Sequence, residues 1–370
     1  MYTAYYHLSE EPFRLTSDPR FFHLAQPHAA ALATVVEAVT RRKGFVVMSG
    51  HIGTGKTTVL HAALQILSER EAIGGPIASA FIFNPMLSRD EFLEALISEF
   101  EIPCLATGKP ARLSALHGML LNMQRKGGTS VLFVDEAHLL TPEVLEEIRL
   151  LGNADTYQEK LLQIVLSGPP ELLTVLRRPE LSALKQRIAS CCLLRPLSFP
   201  ESRAYIAERM YTAGFRGSDY PFPSEALESI FRYTEGVPRL INLLCDACLA
   251  IAYKIEQPLI QADIVEEAAI DLGIKGAMPL PAAEETAPMP ASRTGVSGER
   301  TLESAVDVLI EAMKLRRASA MKESSSMHPV QQMVAAPMEG RDVSGNLIME
   351  SAVDVLIEAM KLRRVSVTER

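Results

Sequence analysis

One octapeptide constrains this chain more than any other feature. Gly50-His51-Ile52-Gly53-Thr54-Gly55-Lys56-Thr57 fits the pattern GxxxxGK[ST] and stands where a phosphate-binding loop must stand, after a short apolar run and before an amphipathic one. Glycines let the backbone curl so that successive N–H groups face an anion, and the start of a helix adds its partial positive charge. Lys56 is expected to bridge the β- and γ-phosphates, and the Thr57 hydroxyl to take a position on Mg²⁺. The candidate nucleotide contacts are therefore Gly50, His51, Ile52, Gly53, Thr54, Gly55, Lys56, Thr57 and the adjacent Thr58, with His51 at a free position of the pattern. ATP and Mg²⁺ are the expected cofactors.

A second element is Val131-Leu132-Phe133-Val134-Asp135-Glu136, an apolar strand ending in two acids and followed by Ala137-His138. Asp135 is the candidate metal carboxylate, and Glu136 the candidate general base that polarises an attacking water. An acid next to the metal ligand favours hydrolysis over phosphoryl transfer to a substrate, so an ATPase is expected.

The chain around these motifs alternates short β-branched runs with longer amphipathic ones, the pattern of a parallel sheet covered by helices. Strands are expected at 45–49, 77–84, 130–135, 162–167 and 191–194, with helices at 56–69, 89–100, 112–126 and 142–151. From Ser198 to about Gly273 helical periodicity replaces the strand signals, at 201–212, 224–234, 238–255 and 261–272. Ser224 reads as an N-cap and Gly236 as the punctuation of a helix end. The expected domains are an N-terminal segment 1–26 packed on the core, an α/β core 27–197, a helical lid 198–273, a Pro-rich linker 274–300 and a tail 301–370.

The tail holds an exact repeat, ESAVDVLIEAMKLRR, at 303–317 and again at 350–364. Each copy has an apolar stripe at helical spacing with Lys-Arg-Arg at its end, which suits a helix dipole. A lone helix of that length is marginal in water, so the copies read either as docking or self-association helices or as a duplication without a role.

Thirty-seven Lys and Arg against 45 Asp and Glu give a net charge of −8, which argues against binding nucleic acid through bulk charge. Local basic clusters remain at Arg41-Arg42-Lys43 and Arg177-Arg178. Five cysteines lack the count and spacing of a disulfide framework. Cys245 and Cys248 form a CxxC pair within an apolar helical pattern, read as core thiols or as a metal or redox pair. The first residues lack the form of a signal peptide, and no apolar run reaches the ~18 residues of a membrane span, so a cytoplasmic location is expected.

Three weaker candidates depend on the fold. Ser167, ending the fourth strand, is a sensor hydroxyl for the γ-phosphate or an ordinary strand end. Arg187, just before the last strand, is an arginine finger for a neighbouring subunit or a solvated cation. Arg239 begins a helix, where a cation is electrostatically poor unless an anion lies nearby, and so reads as a phosphate sensor.

Taken together these residues resemble the AAA+ ATPases of the general secretion pathway A type, relatives of transposon target-selection and origin-recognition ATPases. The resemblance is carried by YYHLSEEPF and TSDPRFF near the start, then GHIGTGKTT, VLFVDEAHLL, LKQRI and EGVPRLINLLCDACL. It implies a three-layer αβα P-loop NTPase with a parallel five-stranded sheet in the order 5-1-4-3-2, a helical lid, and ring or filament homo-oligomers in which Arg187 acts across the interface. It also implies that the opening segment packs near the nucleotide, with Pro27 and His28 close to the base. Where relatives often read Gly-Gln-Pro-Glu-Leu, this chain has Gly168-Pro169-Pro170-Glu171-Leu172, which removes an amide from the sensor corner. Secretion-type members usually continue into a membrane span, and this chain has the linker and repeat instead. The expected role is a switch or motor acting on a protein partner through the tail helices, in secretion, envelope, pilus or exopolysaccharide assembly. The alternatives are a DNA-dependent ATPase acting on duplex DNA and a nucleotide-gated scaffold with little turnover.

Overall fold

A computed structural model describes residues 1–16, 19–69, 75–83, 85–103, 108–156, 159–217 and 219–274. The chain divides into two compact units, Met1–Glu285 and Thr286–Arg370, and every described residue lies in the first. The expected linker beyond residue 274, the repeat helices at 303–317 and 350–364, and Cys104 lie outside the described residues.

Five strands, β1 (Phe45–Gly50), β2 (Ile77–Ile82), β3 (Thr129–Val134), β4 (Leu162–Gly168) and β5 (Ile188–Leu194), form one parallel sheet in the order β2-β3-β4-β1-β5. This is the expected order. Strands β1 and β4 are buried at every residue and β3 at all but its first, as unbroken apolar runs demand when both faces are covered. At the edge, β5 alternates, with Ala189, Cys191 and Leu193 outward. It therefore starts three residues before the expected 191–194, because an edge strand needs no continuous apolar run. Conversely, β2 stops short of the expected Asn84.

Helix α1 (Gln26–Thr40) was not expected as an element, although Pro27 in its first turn and the spacing of Leu32, Val35, Val36 and Val39 signal one. It packs with α2 (Lys56–Glu69) on one face of the sheet. The opposite face, with Phe45, Val47, Leu132, Val134, Ile164 and Leu166, shares a core with α3 (Arg89–Glu99), α4 (Lys109–Arg125), α5 (Pro142–Leu151) and the short α6 (Glu171–Leu176). Helix α3 begins at a capping box in which Ser88 and Glu91 satisfy each other's backbone N–H. Buried Glu147 on α5 pairs with Lys109 at 2.5 Å and Arg89 at 3.5 Å, so the starts of α3 and α4 are tied to α5.

Four helices follow: α7 (Phe199–Thr212), α8 (Ser224–Thr234), α9 (Pro238–Lys254) and α10 (Ala262–Asp271). Ser224 is the first residue of α8, and Pro223 occupies the cap position with no side-chain hydrogen bond, so the expected serine cap is corrected. The helix ends in two left-handed residues, Glu235 and Gly236.

The opening segment belongs to this helical layer. Tyr6, Leu8, Phe13, Phe21 and Ala25 share one core with Leu197, Tyr205, Ile206, Met210, Ile230, Ile241 and Leu249. The expected packing of residues 1–26 on the α/β body is thereby corrected. Buried Arg209 accounts for it: Nε donates to Pro12 O at 2.6 Å, Nη2 to Arg14 O at 3.0 Å and Nη1 to the Tyr205 hydroxyl at 2.8 Å. A buried guanidinium must have its donors satisfied, and here the carbonyls of the opening segment satisfy it. The Tyr2 hydroxyl donates to Asp246 of α9 at 2.5 Å.

Gly236 joins the helical layer to the end of β5. At φ +74°, a Cβ there would lie 1.8 Å from the Leu197 carbonyl oxygen, and Leu197 N–H donates to Gly236 O at 2.9 Å. Gly236→Ala is expected to lower the unfolding free energy by roughly 2–4 kcal/mol, combining a left-handed backbone with a backbone clash. Urea unfolding of the two chains measures this difference.

Candidate nucleotide-binding site

The loop between β1 and α2 is built as a cradle. Gly53 and Gly55 have φ of +81° and +97°, and buried Thr54 between them donates its hydroxyl to His51 O at 2.8 Å. Lys56, 5% exposed, folds back so that Nζ donates to Gly50 O at 2.8 Å and His51 O at 3.2 Å. Burial lowers its pKa, and the negative charges of Glu136, Asp135 and Glu171 oppose that shift. Ile52 and His51 point to solvent, while Thr57 and Thr58 are half-buried at the start of α2.

The second motif meets the first. Thr57 Oγ1 donates to Asp135 Oδ2 at 2.5 Å, and Asp135 Oδ1 accepts Glu136 N–H at 3.0 Å. Asp135 lies one residue past β3, 4% exposed, with its own N–H on Ile82 O. A hydroxyl and a carboxylate side by side are the hard oxygen donors that Mg²⁺ takes. Glu136 adopts a left-handed backbone, φ 48° and ψ 37°, with its carboxylate partly exposed. Ser167 is wholly buried on β4, in register with Met48, and its Oγ has no hydrogen-bond partner among the described residues.

Two side chains close on the loop from elsewhere. His28 of α1 is 5% exposed and its Nε2 lies 2.9 Å from Thr54 O; a carbonyl only accepts, so Nε2 carries the proton and Nδ1 the lone pair. A Cβ on Gly55 would stand 3.1 Å from that Nε2. Buried Pro27 precedes it in the first turn of α1. From the helical layer, Arg239 N–H donates to Gly53 O at 3.2 Å, and a Cβ on Gly53 would stand 2.8 Å from Arg239 Cβ. Gly53 is therefore required twice, by its conformation and by Arg239, whereas Gly55 is required by its conformation, with His28 in tight contact. Together, the left-handed glycines, the buried amine and the Thr57–Asp135 oxygen pair fit a triphosphate and its metal.

Arg187 lies apart. It precedes β5, the neighbour of β1, at the end of the strands opposite the loop, about 20 Å away along the strand. Its Nη1 donates to Arg149 O at 3.1 Å and to the Asn153 side chain. Sequence reasoning missed Val237, whose Cγ1 would lie 3.1 Å from a Cβ on Gly53, and Glu171, an exposed acid at the start of α6 whose charge is felt at Lys56. Neither has a local signal, because both act through the fold. Cys245 and Cys248 are wholly buried, burial pushes the Cys248 thiol up to about 12, and no metal-binding cluster occurs among the described residues. Both thiols belong to the apolar core of the helical layer.

A family profile described as AAA domain matches residues 39–176, the stretch that carries the loop, β3 and β4. The chain is a AAA+ protein. General secretion pathway protein A of Aeromonas hydrophila is 40% identical over 257 residues, which cover 68% of this chain and 45% of that relative. The chain thus matches less than half the length of that homologue. Among solved structures, the ADP form of ORC2 from Aeropyrum pernix is 17% identical, covering 70% of this chain and 72% of its own, with a TM-score of 0.55. Drosophila ORC bound to DNA is 16% identical, covering 72% of this chain and 65% of its own, with a TM-score of 0.56. At such identities the likeness is one of fold. No helix among the described residues of this AAA+ protein is long and apolar enough to cross a membrane.

Burial lowers the His28 pKa from 6.5 to about 4. Between those values the unfolded chain binds a proton that the folded chain refuses, so this contribution to stability is complete above about pH 6.5, declines as pH falls, and is gone near pH 4. Its ceiling is about 3 kcal/mol. His28→Gln, which keeps a donor for Thr54 O, is expected to flatten that part of the pH dependence. Urea midpoints of both chains at pH 7 and pH 4.5 measure it, and parallel losses would refute it.

Proposed function

We propose that this AAA+ protein binds ATP with Mg²⁺ and hydrolyses it, and that the cycle switches its shape against a protein partner. The observation that carries the reading is the 2.5 Å contact between Thr57 and Asp135, with Lys56 and Glu136 beside it. In this reading the backbone amides from Gly53 to Thr57 cradle the phosphates, with Gly50 opening the loop. Lys56 exchanges its two loop carbonyls for phosphate oxygens. Thr57 and Asp135 hold the metal, which when bound neutralises charge on the phosphates. Glu136 takes the proton of the attacking water, and the unpartnered Ser167 hydroxyl donates towards the γ-phosphate. Pro27 and His28 stand close to the base. Arg239 reaches the phosphates from the helical layer, so the layer's position follows the nucleotide. Arg187 is assigned to a neighbouring subunit's nucleotide in a homo-oligomer.

The domain division 1–26, 27–197, 198–273, 274–300 and 301–370 belongs to the same proposal. The name of the homologue supports a role in secretion or envelope assembly, and the repeated string at 303–317 and 350–364 supplies the docking elements for the protein partner. A cytoplasmic location is proposed with it. Duplex DNA is the lesser reading, because one cluster of candidate cations is already paired. Arg41 and Lys43 lie 3.3 and 3.5 Å from Glu37, and Arg42 pairs with Glu159 and donates to Gly128 O at 2.6 Å.

Lys56→Ala is expected to abolish measurable ATP binding. Glu136→Gln is expected to keep ATP affinity while lowering turnover at least about 100-fold. Equal single-turnover rates in wild type and Glu136→Gln would leave a nucleotide-gated scaffold instead. Salt-sensitive stimulation of turnover by duplex DNA would favour the DNA reading.

A further inference from the structure

The three residues after Asp135 form a short turn with two unusual features. Glu136 holds a left-handed backbone that non-glycine residues rarely adopt, and its carbonyl accepts the Leu139 N–H at 2.9 Å. Ala137 is wholly buried and Leu140 nearly so, which anchors the turn on both sides of His138. His138 Nδ1 is shielded from solvent and has no hydrogen-bond partner among the described residues, yet it lies 3.4 Å from Glu136 Oε2. The left-handed residue and the ring nitrogen thus fall two residues apart, and it is the Glu136 carboxylate that the nitrogen meets. A buried ring nitrogen without a partner is costly. The group within reach is the carboxylate that the proposed mechanism needs to aim.

We propose that His138 is the positioning residue for Glu136: its Nδ1–H donates to Oε2 and restricts the carboxylate to the rotamer that meets the attacking water. A free glutamate side chain samples several staggered rotamers, and only an oriented one shares the proton of a water in line with the phosphate. The proton taken from water stays on Glu136, and His138 neither gains nor loses one. This inference rests on the reading of Glu136 as the base.

The test uses full-length chain and single-turnover ATP hydrolysis, with ADP affinity and melting temperature measured alongside. His138→Asn places its amide Nδ2–H where Nδ1–H stood, whereas His138→Gln places it where Nε2 stood, and His138→Ala removes it. The Ala and Gln variants are expected to lose about tenfold in rate, and the Asn variant to stay within about threefold of wild type, with ADP affinity and melting temperature unchanged. No loss in any variant, or losses of equal size in all three, would overturn the role of His138. So would losses that track ADP affinity or melting temperature. Wild-type turnover in Glu136→Gln would overturn the reading of the base itself, so the two failures are separable.

Discussion

Thr57 begins the helix after β1 and Asp135 follows β3, yet β4 lies between those strands in the sheet. Strands spaced by about 4.8 Å put β1 and β3 nearly 10 Å apart, so the 2.5 Å hydrogen bond closes over the tip of β4. Ser167 occupies that tip, wholly buried and with no hydrogen-bond partner among the described residues. The chemistry of the site depends on this bridging geometry. It follows from the strand order: the chain leaves β1 for β2 on the far edge and works back, which opens a crevice at the carboxyl ends of the central strands.

The rest of the molecule supports that crevice from two directions. Helix α1 brings His28 against Thr54 and Gly55 from one face, and the start of α9 brings Arg239 against Gly53. A Cβ on Gly53 would stand 2.8 Å from Arg239 Cβ, too close without a shift, and one on Gly55 would press on His28 Nε2 at 3.1 Å. The loop is therefore shaped by what touches it as much as by its own backbone freedom.

The two motifs were legible because each is local: a strand, a turn and a helix start lie within a few residues, and apolar runs mark buried strands. The order of the sheet came with the family resemblance, which placed His28 near the nucleotide's base; its hydrogen bond to the loop at Thr54 O is a tertiary contact that the sequence did not reveal. What the sequence hid is tertiary. Val237 and Glu171 touch or influence the loop only because α9 and α6 start beside it. Edge strand β5 was read too short because alternating exposure breaks the apolar run that betrays its central neighbours. The opening segment was placed on the wrong layer, since nothing in its aromatic string says whether Tyr6, Phe13 and Phe21 meet strands or helices. Their destination is set by Arg209, whose donors need carbonyls at one spot on α7.

That destination has a geometric consequence. The helical layer is joined to the α/β body by the covalent link after β5, through Leu197, and also by residues that run from Phe21 in its core to α1 on the sheet. Two crossings of the chain, rather than one, therefore constrain where the start of α9 can stand, and with it the distance from Arg239 to Gly53.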